Sequence, residues 1–315
     1  MTVLGLDLGG TKCLGLAVDR GQVVAEHRLP TPPTGPQVVD AVADVASALI
    51  AQVGSPTAIG IGAPGLVDRT GVLRAAPNLP GGQELAIGPM VSERLGRSVV
   101  VDNDATCATW GERVCGAASG EDDVVMVTLG TGIGGGIVAG GRLYRGANGF
   151  AGEVGHMVID PAGPPCPCGH RGCWERYASG SGLGRLARAA AHAGLAPRVV
   201  ELAGGDPEAV RGEHVSAAMA EGDADAGRIL VDFAWWLALG LANLANTFDP
   251  RLFVVGGGLV VIGDALFAAT NKAFGDLVEA ADRRPTIPIV PAALGERAGA
   301  IGAAALAAES VGEPV

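Results

Sequence analysis

A short motif is written twice in this chain, 121 positions apart, and that duplication restricts the fold more than any other feature. Val3–Leu6 is an apolar run, followed by Asp7-Leu-Gly-Gly-Thr-Lys12, a second run Cys13–Val18 and a turn at Asp19–Gly21. Val124–Thr128 then leads into Leu129-Gly-Thr-Gly-Ile-Gly134, the run Gly135–Ala139 and a turn at Gly140–Gly141. The shift lays Leu8, Gly9 and Gly15 on Leu129, Gly130 and Gly136. Each copy reads as a strand, a glycine-rich turn and an antiparallel return strand. Helix- and strand-like segments alternate after each copy. In the first half these are a helix over Gln37–Gln52, a strand Ala58–Gly62, a helix Met90–Gly96 and a strand Val99–Val101. In the second, a long helical stretch ends near Asp249 and a strand Leu252–Val255 runs into Gly256–Gly258. The alternation predicts an α/β protein with mixed sheets covered by helices, and two copies predict two lobes facing each other across a cleft.

The glycine turns suggest phosphate. Successive backbone N–H groups in a tight turn form an anion-binding concavity, and glycine lets the ligand approach closely. An ordinary pair of hairpins is the plain alternative, but Asp7 and Lys12 flank the first turn, and lysine occurs only at Lys12 and Lys272. No GxxxxGK[ST] is present. GxGxxG occurs at Gly60/Gly62/Gly65 and Gly130/Gly132/Gly135, but Pro64 interrupts the first and a strand-like run follows the second. A dinucleotide fold needs a helix straight after the turn, so a dehydrogenase is disfavoured.

A net charge of -11 and a pI near 4.9 argue against nucleic acid as a partner, because neutralising phosphates needs clustered Lys and Arg. The first strand is predicted almost at Met1, so no secretory segment is expected. The apolar stretch Ile229–Phe248 carries Asp232, Asn243 and Asn246, which reads as a buried helix and not a membrane span. Six cysteines without a secretory segment point to thiols and metal, and the expected location is cytoplasmic.

Between Glu153 and Glu175 the chain reads EVGHMVIDPAGPPCPCGHRGCWE. Three cysteines (Cys166, Cys168, Cys173) and a histidine at this spacing are the ligand set of a closed tetrahedral zinc site. His156 and His170 compete for the fourth position. Folding the segment around a metal would bring Glu153, His156 and Glu175 onto one wall. After the strand Val99–Val101 comes Asp102-Asn103-Asp104 and a helix-like run Ala105–Arg113. Polar residues at the carboxyl end of a strand are where α/β proteins place ligands. Asp104 is also a plausible helix N-cap, which would occupy its oxygens. Cys13, Cys107 and Cys115 read as small core residues, and His27, His192 and His214 as solvated surface groups.

Taken in order, DLGGTK, APG at Ala63–Gly65, DNDA at Asp102–Ala105, LGTGIGGG at Leu129–Gly136, ExGH at Glu153–His156, CxCGxxGCxE at Cys166–Glu175 and GGG at Gly256–Gly258 resemble the ROK family of bacterial sugar kinases and related repressors. The resemblance covers nearly the whole chain and is closest to the actinobacterial ATP-dependent glucokinases. It implies the actin-like/hexokinase (ribonuclease H-like) ATPase fold around a central cleft. Residues 1–105 plus 300–315 would form a small α/β domain, and residues 106–299 a large one carrying the zinc loop. It further implies transfer of phosphate from ATP, with Mg²⁺, to the 6-hydroxyl of glucose, with Asp104 as general base. Gly65, Asn78, Asn103, Glu153, His156 and Glu175 would bind the sugar together with Asp104. Asp7 would position Mg²⁺, and Gly9, Gly10, Thr11, Lys12, Thr131 and Gly132 would hold the phosphates. Gly256, Gly257 and Gly258 would lie near the adenosine. A structural Zn²⁺ would sit on His156, Cys166, Cys168 and Cys173. Further implications are no nucleic-acid or membrane partner and a homodimer or homotetramer.

The same family phosphorylates N-acetylglucosamine, N-acetylmannosamine and fructose, and includes sugar-responsive repressors. A repressor is expected to place a DNA-binding segment ahead of the first phosphate motif, which here begins at Asp7. Polyphosphate glucokinases of the family generally lack the zinc block, so its presence points to a nucleotide donor.

Overall fold

The computed structural model describes residues 2–76, 79 and 81–313. The chain folds in the order β1 (Thr2–Leu8), β2 (Lys12–Asp19), β3 (Gln22–Pro30), α1 (Gly35–Val53), β4 (Ala58–Ala63), β5 (Leu66–Val67), β6 (Leu73–Ala75), α2 (Ile87–Leu95), β7 (Val100–Asn103) and α3 (Asp104–Cys115). It continues through β8 (Val124–Leu129), β9 (Ile133–Ala139), β10 (Arg142–Leu143), α4 (Glu175–Ala178), α5 (Gly180–His192), α6 (Pro197–Leu202) and α7 (Gly212–Ala220). The last elements are α8 (Ala224–Phe248), β11 (Leu252–Gly256), α9 (Asp264–Leu277), β12 (Ile289–Pro291) and α10 (Ala298–Ser310).

The duplicated motif produces duplicated topology. One five-stranded sheet has the order β3-β2-β1-β4-β7 and the other β10-β9-β8-β11-β12. Both therefore place the glycine-turn hairpin beside the strands that follow it through helical crossovers. In the first sheet β1 pairs antiparallel with β2 and parallel with β4, and β4 pairs parallel with β7. That register puts Asp7 beside Gly62, and Gly62 beside Asp102, in one row at the carboxyl ends of three adjacent strands.

The chain resolves into two compact units. One comprises Met1–Met126, Gly135–Gly152 and Ala292–Val315, and the other Val127–Gly134 and Glu153–Pro291. These contact units are drawn differently from the two domains expected from the sequence, because α3 and the segment 135–152 group with the first unit. The cause is α10. Its alanine and glycine faces let it pack against both the first sheet and α3 at backbone distance. A Cβ on Gly5 or Gly60 would fall 1.9 Å from the carbonyl oxygens of Ala300 and Ala303, and one on Gly302 would fall 1.7 Å from that of Cys107. Buried Glu112 completes the junction by accepting the N–H groups of Ala117, Ala293 and Leu294.

Leu4, Leu6 and Leu8 point to the side of the first sheet covered by α1, where they meet Val38, Val42, Val45 and Leu49. In the second unit α8 buries Phe233, Leu237, Leu241 and Leu244. Among the described residues two helices, α1 and α8, are long and apolar enough to cross a membrane by composition, and both bury one face in these cores.

Candidate active site

Several of the residues expected at the site lie in the first unit. The turn between β1 and β2 closes with the Gly9 N–H donating to the Lys12 carbonyl at 2.8 Å. Thr31 holds it from outside, its hydroxyl donating to the Gly9 carbonyl and its N–H to that of Thr11. Lys12 forms an ion pair with Glu296, which also pairs with Arg28. Asp7 ends β1 beside this turn. Burial, then the charge of Asp104, pushes its carboxyl up to about 7, with Lys12 opposing. Gly299 is what makes room for Asp7, since a Cβ there would sit 2.7 Å from the carboxyl carbon. No motif marks Gly299, because it reaches Asp7 only through the packing of α10.

Asp7 is thus a group whose folded pKa lies above its ordinary value of 3.8. Its ionisation costs stability, and that cost grows as pH rises from about 4 to about 7. Asp7→Asn is expected to stabilise the fold at pH 8 by ~2 kcal/mol, discounted from the full shift because Asp7 retains some solvent access. The gain should shrink steeply toward pH 4, where the folded carboxyl is protonated and the unfolded one is only about half ionised. Chemical denaturation at the two pH values checks this, and equal stabilities at pH 8 would refute the cost assigned to Asp7.

At the end of β7 the roles of neighbouring residues separate. Asn103, not Asp104, is the N-cap of α3, its side-chain oxygen accepting the Thr106 N–H at 2.9 Å. The capping role that Asp104 could have taken therefore falls to Asn103. Asn103 is extended and Asp104 already helical, so the capping geometry falls one residue earlier. Asp104 takes the Ala105 N–H on one oxygen at 2.8 Å. Asn103 Nδ2 donates to the carbonyl of Gly65 at 3.1 Å. Gly65 holds φ +86 in the turn after β4, with Ala75 so near that a Cβ would fall 2.2 Å from its carbonyl oxygen. Asn78 lies outside the described residues. Among the cysteines expected in the core, Cys13 and Cys107 are buried and Cys115, at the end of α3, is exposed. His192 is exposed, whereas His27 and His214 are half-buried, and His214 Nδ1 accepts the Arg211 N–H at the start of α7.

The other expected site residues lie in the second unit. The turn between β8 and β9 is closed one residue tighter than the first, the Gly130 N–H donating to the Gly132 carbonyl at 3.0 Å. The start of α5 grips it: the Gly180 N–H bonds the Gly130 carbonyl, and the Ser181 hydroxyl bonds that of Thr131. Gly257 seats the glycine run after β11 against the same turn, since a Cβ there would meet the Leu129 carbonyl at 2.4 Å.

The cysteine segment folds into a small loop. The Cys166 N–H bonds the His170 carbonyl, and Gly172, at φ +68, passes so close to Asp160 that no side chain fits. Trp174 anchors it. Its buried ring lies on Gly240 of α8, and its Nε1 donates to the Trp236 carbonyl at 2.8 Å. The result gathers His156, Cys166, Cys168 and Cys173 with ligand atoms all within 4.8 Å of one another. Cys166 Sγ lies 3.8 Å from His156 Nδ1, and Cys168 Sγ 3.5 Å from Cys173 Sγ. Ligands of tetrahedral zinc with Zn–S near ~2.3 Å stand about 3.5–3.8 Å apart, so this set fits the ion. His170 approaches Cys168 at 3.6 Å but stands outside the cluster of four.

Glu175 connects the cluster to the turn. One of its oxygens is 3.1 Å from Cys166 Sγ and 4.0 Å from His156 Nδ1, and the other lies 2.5 Å from the place a Cβ on Gly132 would take. The second nitrogen of His156, Nε2, stands 3.9 Å from Glu153. Burial lifts the Glu153 carboxyl above the usual range, with His156 opposing and Glu175 adding to the shift. Two carboxylates and an imidazole on one wall can exchange several hydrogen bonds with a polyol.

Comparison with known proteins agrees with this geometry. The sequence model described as ROK family matches residues 3–310. The chain is 42% identical over 311 residues to a glucokinase of Streptomyces coelicolor, covering 97% of both. It is 33% identical to a glucokinase of Thermotoga maritima over 99% of both. Among solved structures, a ROK family glucokinase from Streptomyces griseus in complex with glucose and AMPPNP superposes with a TM-score of 0.87 at 39% identity, covering 98% of this chain and 100% of that one. With the paired sheet orders, this likeness makes the fold the actin-like/hexokinase ATPase fold expected from the sequence.

Proposed function

The chain belongs to the ROK family, and on that premise we propose that it is an ATP-dependent glucokinase, moving the γ-phosphoryl group of ATP to the 6-hydroxyl of glucose. The observation that carries this reading is the division of labour at the end of β7, where Asn103 caps α3 and Asp104 is its first helical residue. Phosphoryl transfer passes through a loose transition state, so an ordinary carboxylate suffices and its position matters more than its strength.

Asp104 accepts the proton of the sugar 6-hydroxyl as that oxygen attacks. Asn103, Glu153, His156 and Glu175 hydrogen-bond the remaining hydroxyls, with Gly65 and Asn78 completing the sugar contacts. The Asn103 amide already bonds Thr106 and Gly65, so it has one N–H and one lone pair left to offer. Gly9, Gly10, Thr11, Lys12, Thr131 and Gly132 hold the phosphates through backbone N–H groups and the Lys12 charge, and Gly256–Gly258 lie by the adenosine. Mg²⁺, held beside Asp7, would neutralise charge on the transferring phosphoryl group. Zn²⁺ on His156, Cys166, Cys168 and Cys173 would be structural, since four protein ligands leave no open position. His156 then orients itself by one nitrogen on the metal side and offers the other to the sugar. A cytoplasmic location, where ATP is made, fits this activity.

A hexose panel in a coupled ADP-release assay with Mg-ATP tests the substrate. Glucose is expected to give the highest kcat/KM, at least about tenfold above fructose, N-acetylglucosamine and N-acetylmannosamine, which is about 1.4 kcal/mol of discrimination. Equal or faster turnover of any of these would move the assignment to that sugar.

A further inference from the structure

Asp102 is a buried carboxylate with no role in the chemistry above. It is 8% exposed, on β7 immediately before Asn103 and Asp104. One of its oxygens accepts the Asn103 N–H at 2.9 Å, and the other accepts the Nε–H of Arg145 at 2.6 Å. Arg145 lies just beyond β10, 43 positions away in sequence. Its own carbonyl accepts the Ala151 N–H, which closes the loop 145–151. Arg69 grips the same loop, donating to the carbonyls of Gly146 and Ala147. The chain runs from this loop directly into Glu153.

The charge on Asp102 calls for a reason. The unit already gathers Asp7 and Asp104 within electrostatic reach of each other. A third carboxylate beside them, this one buried, raises the electrostatic cost there unless it is paired. Asparagine would accept the Asn103 N–H equally well and carry no charge. What asparagine would not supply is a charge-assisted bond to a guanidinium, which is short and directional. The ion pair therefore does something the local turn does not need. It ties the peptide that launches Asn103 and Asp104 to the loop 145–151.

We propose that Arg145 and Asp102 form a positioning pair for the catalytic strand end, setting the direction of Asp104 toward the sugar hydroxyl from the loop that leads into Glu153. Neither residue touches substrate. The pair acts through Asn103 and Asp104, and the inference rests on Asp104 being the base. A displacement of about 1 Å at a reacting group is enough to cost roughly 10²-fold in rate.

The test is a double-mutant cycle on the full-length enzyme, with kcat and both KM values measured beside thermal stability and zinc content. Arg145→Met and Asp102→Asn are each expected to lower kcat by about 10–100-fold while KM for ATP changes less than about threefold. Arg145→Lys should recover part of the loss, since it restores the charge without the planar fork. The double variant should be no slower than the worse single variant, because both substitutions break one bond. It also leaves no stranded charge, so it reports on the site even where Arg145→Met folds poorly. Folded single variants with kcat within twofold of wild type, or losses that multiply in the double variant, would overturn the pairing. Loss of stability with kcat unchanged would reduce it to a structural contact. Asp104→Asn separates the two layers: if that variant is inactive while the Arg145 and Asp102 variants turn over normally, only the positioning role fails.

Discussion

Asp104→Asn is expected to reduce kcat by roughly 10³-fold, in the range that general bases contribute, while glucose affinity changes only a few-fold. The substitution keeps the shape of the side chain and its acceptor for the Ala105 N–H, which a carbonyl oxygen serves as well as a carboxylate. Helix α3 should therefore start where it does now, because Asn103 supplies the cap. What is lost is the proton acceptor and a negative charge facing Asp7. Removing that charge should also lower the pKa of Asp7, whose upward displacement to about 7 comes first from burial and next from Asp104. Steady-state kinetics with glucose titration by intrinsic fluorescence measures both. A kcat within tenfold of wild type would take the base role from Asp104.

The second large effect concerns the cysteine loop. Purified protein is expected to contain close to one zinc per chain, and Cys168→Ser to lose it. kcat/KM for glucose should then fall by about 10–100-fold, the scale at which metal-site partners act, with the far-ultraviolet spectrum largely retained. The reason lies in Glu175, which stands between Cys166 and the Gly132 turn, and in His156, which turns one nitrogen to the cysteines and the other toward Glu153. Loosening the loop frees both from the wall they form. Trp174 should keep the segment docked on α8 even without metal, so the fold survives while the wall loses its order. Metal analysis by mass spectrometry decides the first point. Protein purified without chelators that holds no zinc, or a Cys168→Ser variant with full activity, would remove the metal from the account.

Much of the architecture was legible because its rules are local. A strand, a tight glycine turn and a return strand are encoded in about a dozen consecutive residues, and the repeat made both hairpins visible at once. The spacing of Cys166, Cys168 and Cys173 was equally local, since a loop of that length has few ways to gather three sulfurs. Helix α10 was harder to place. It is built of alanine and glycine, apolar all round, and so lacks the one-sided stripe that marks a helix lying on a sheet. Short elements such as β5, β6 and β10 carry too few residues for any period to show.

The sequence alone determined the duplicated hairpins, the order of motifs and the family, since each depends on residue types at fixed short spacings. Only the tertiary structure decided which residue caps α3, how Glu175 spans the cluster and the turn, and that Arg145 finds Asp102. Those outcomes depend on where a backbone direction changes by one residue, or on which distant segments the sheet order brings together. Hydrogen bonds and ion pairs act only over a few ångströms, so their partners are chosen by topology and not by distance along the chain.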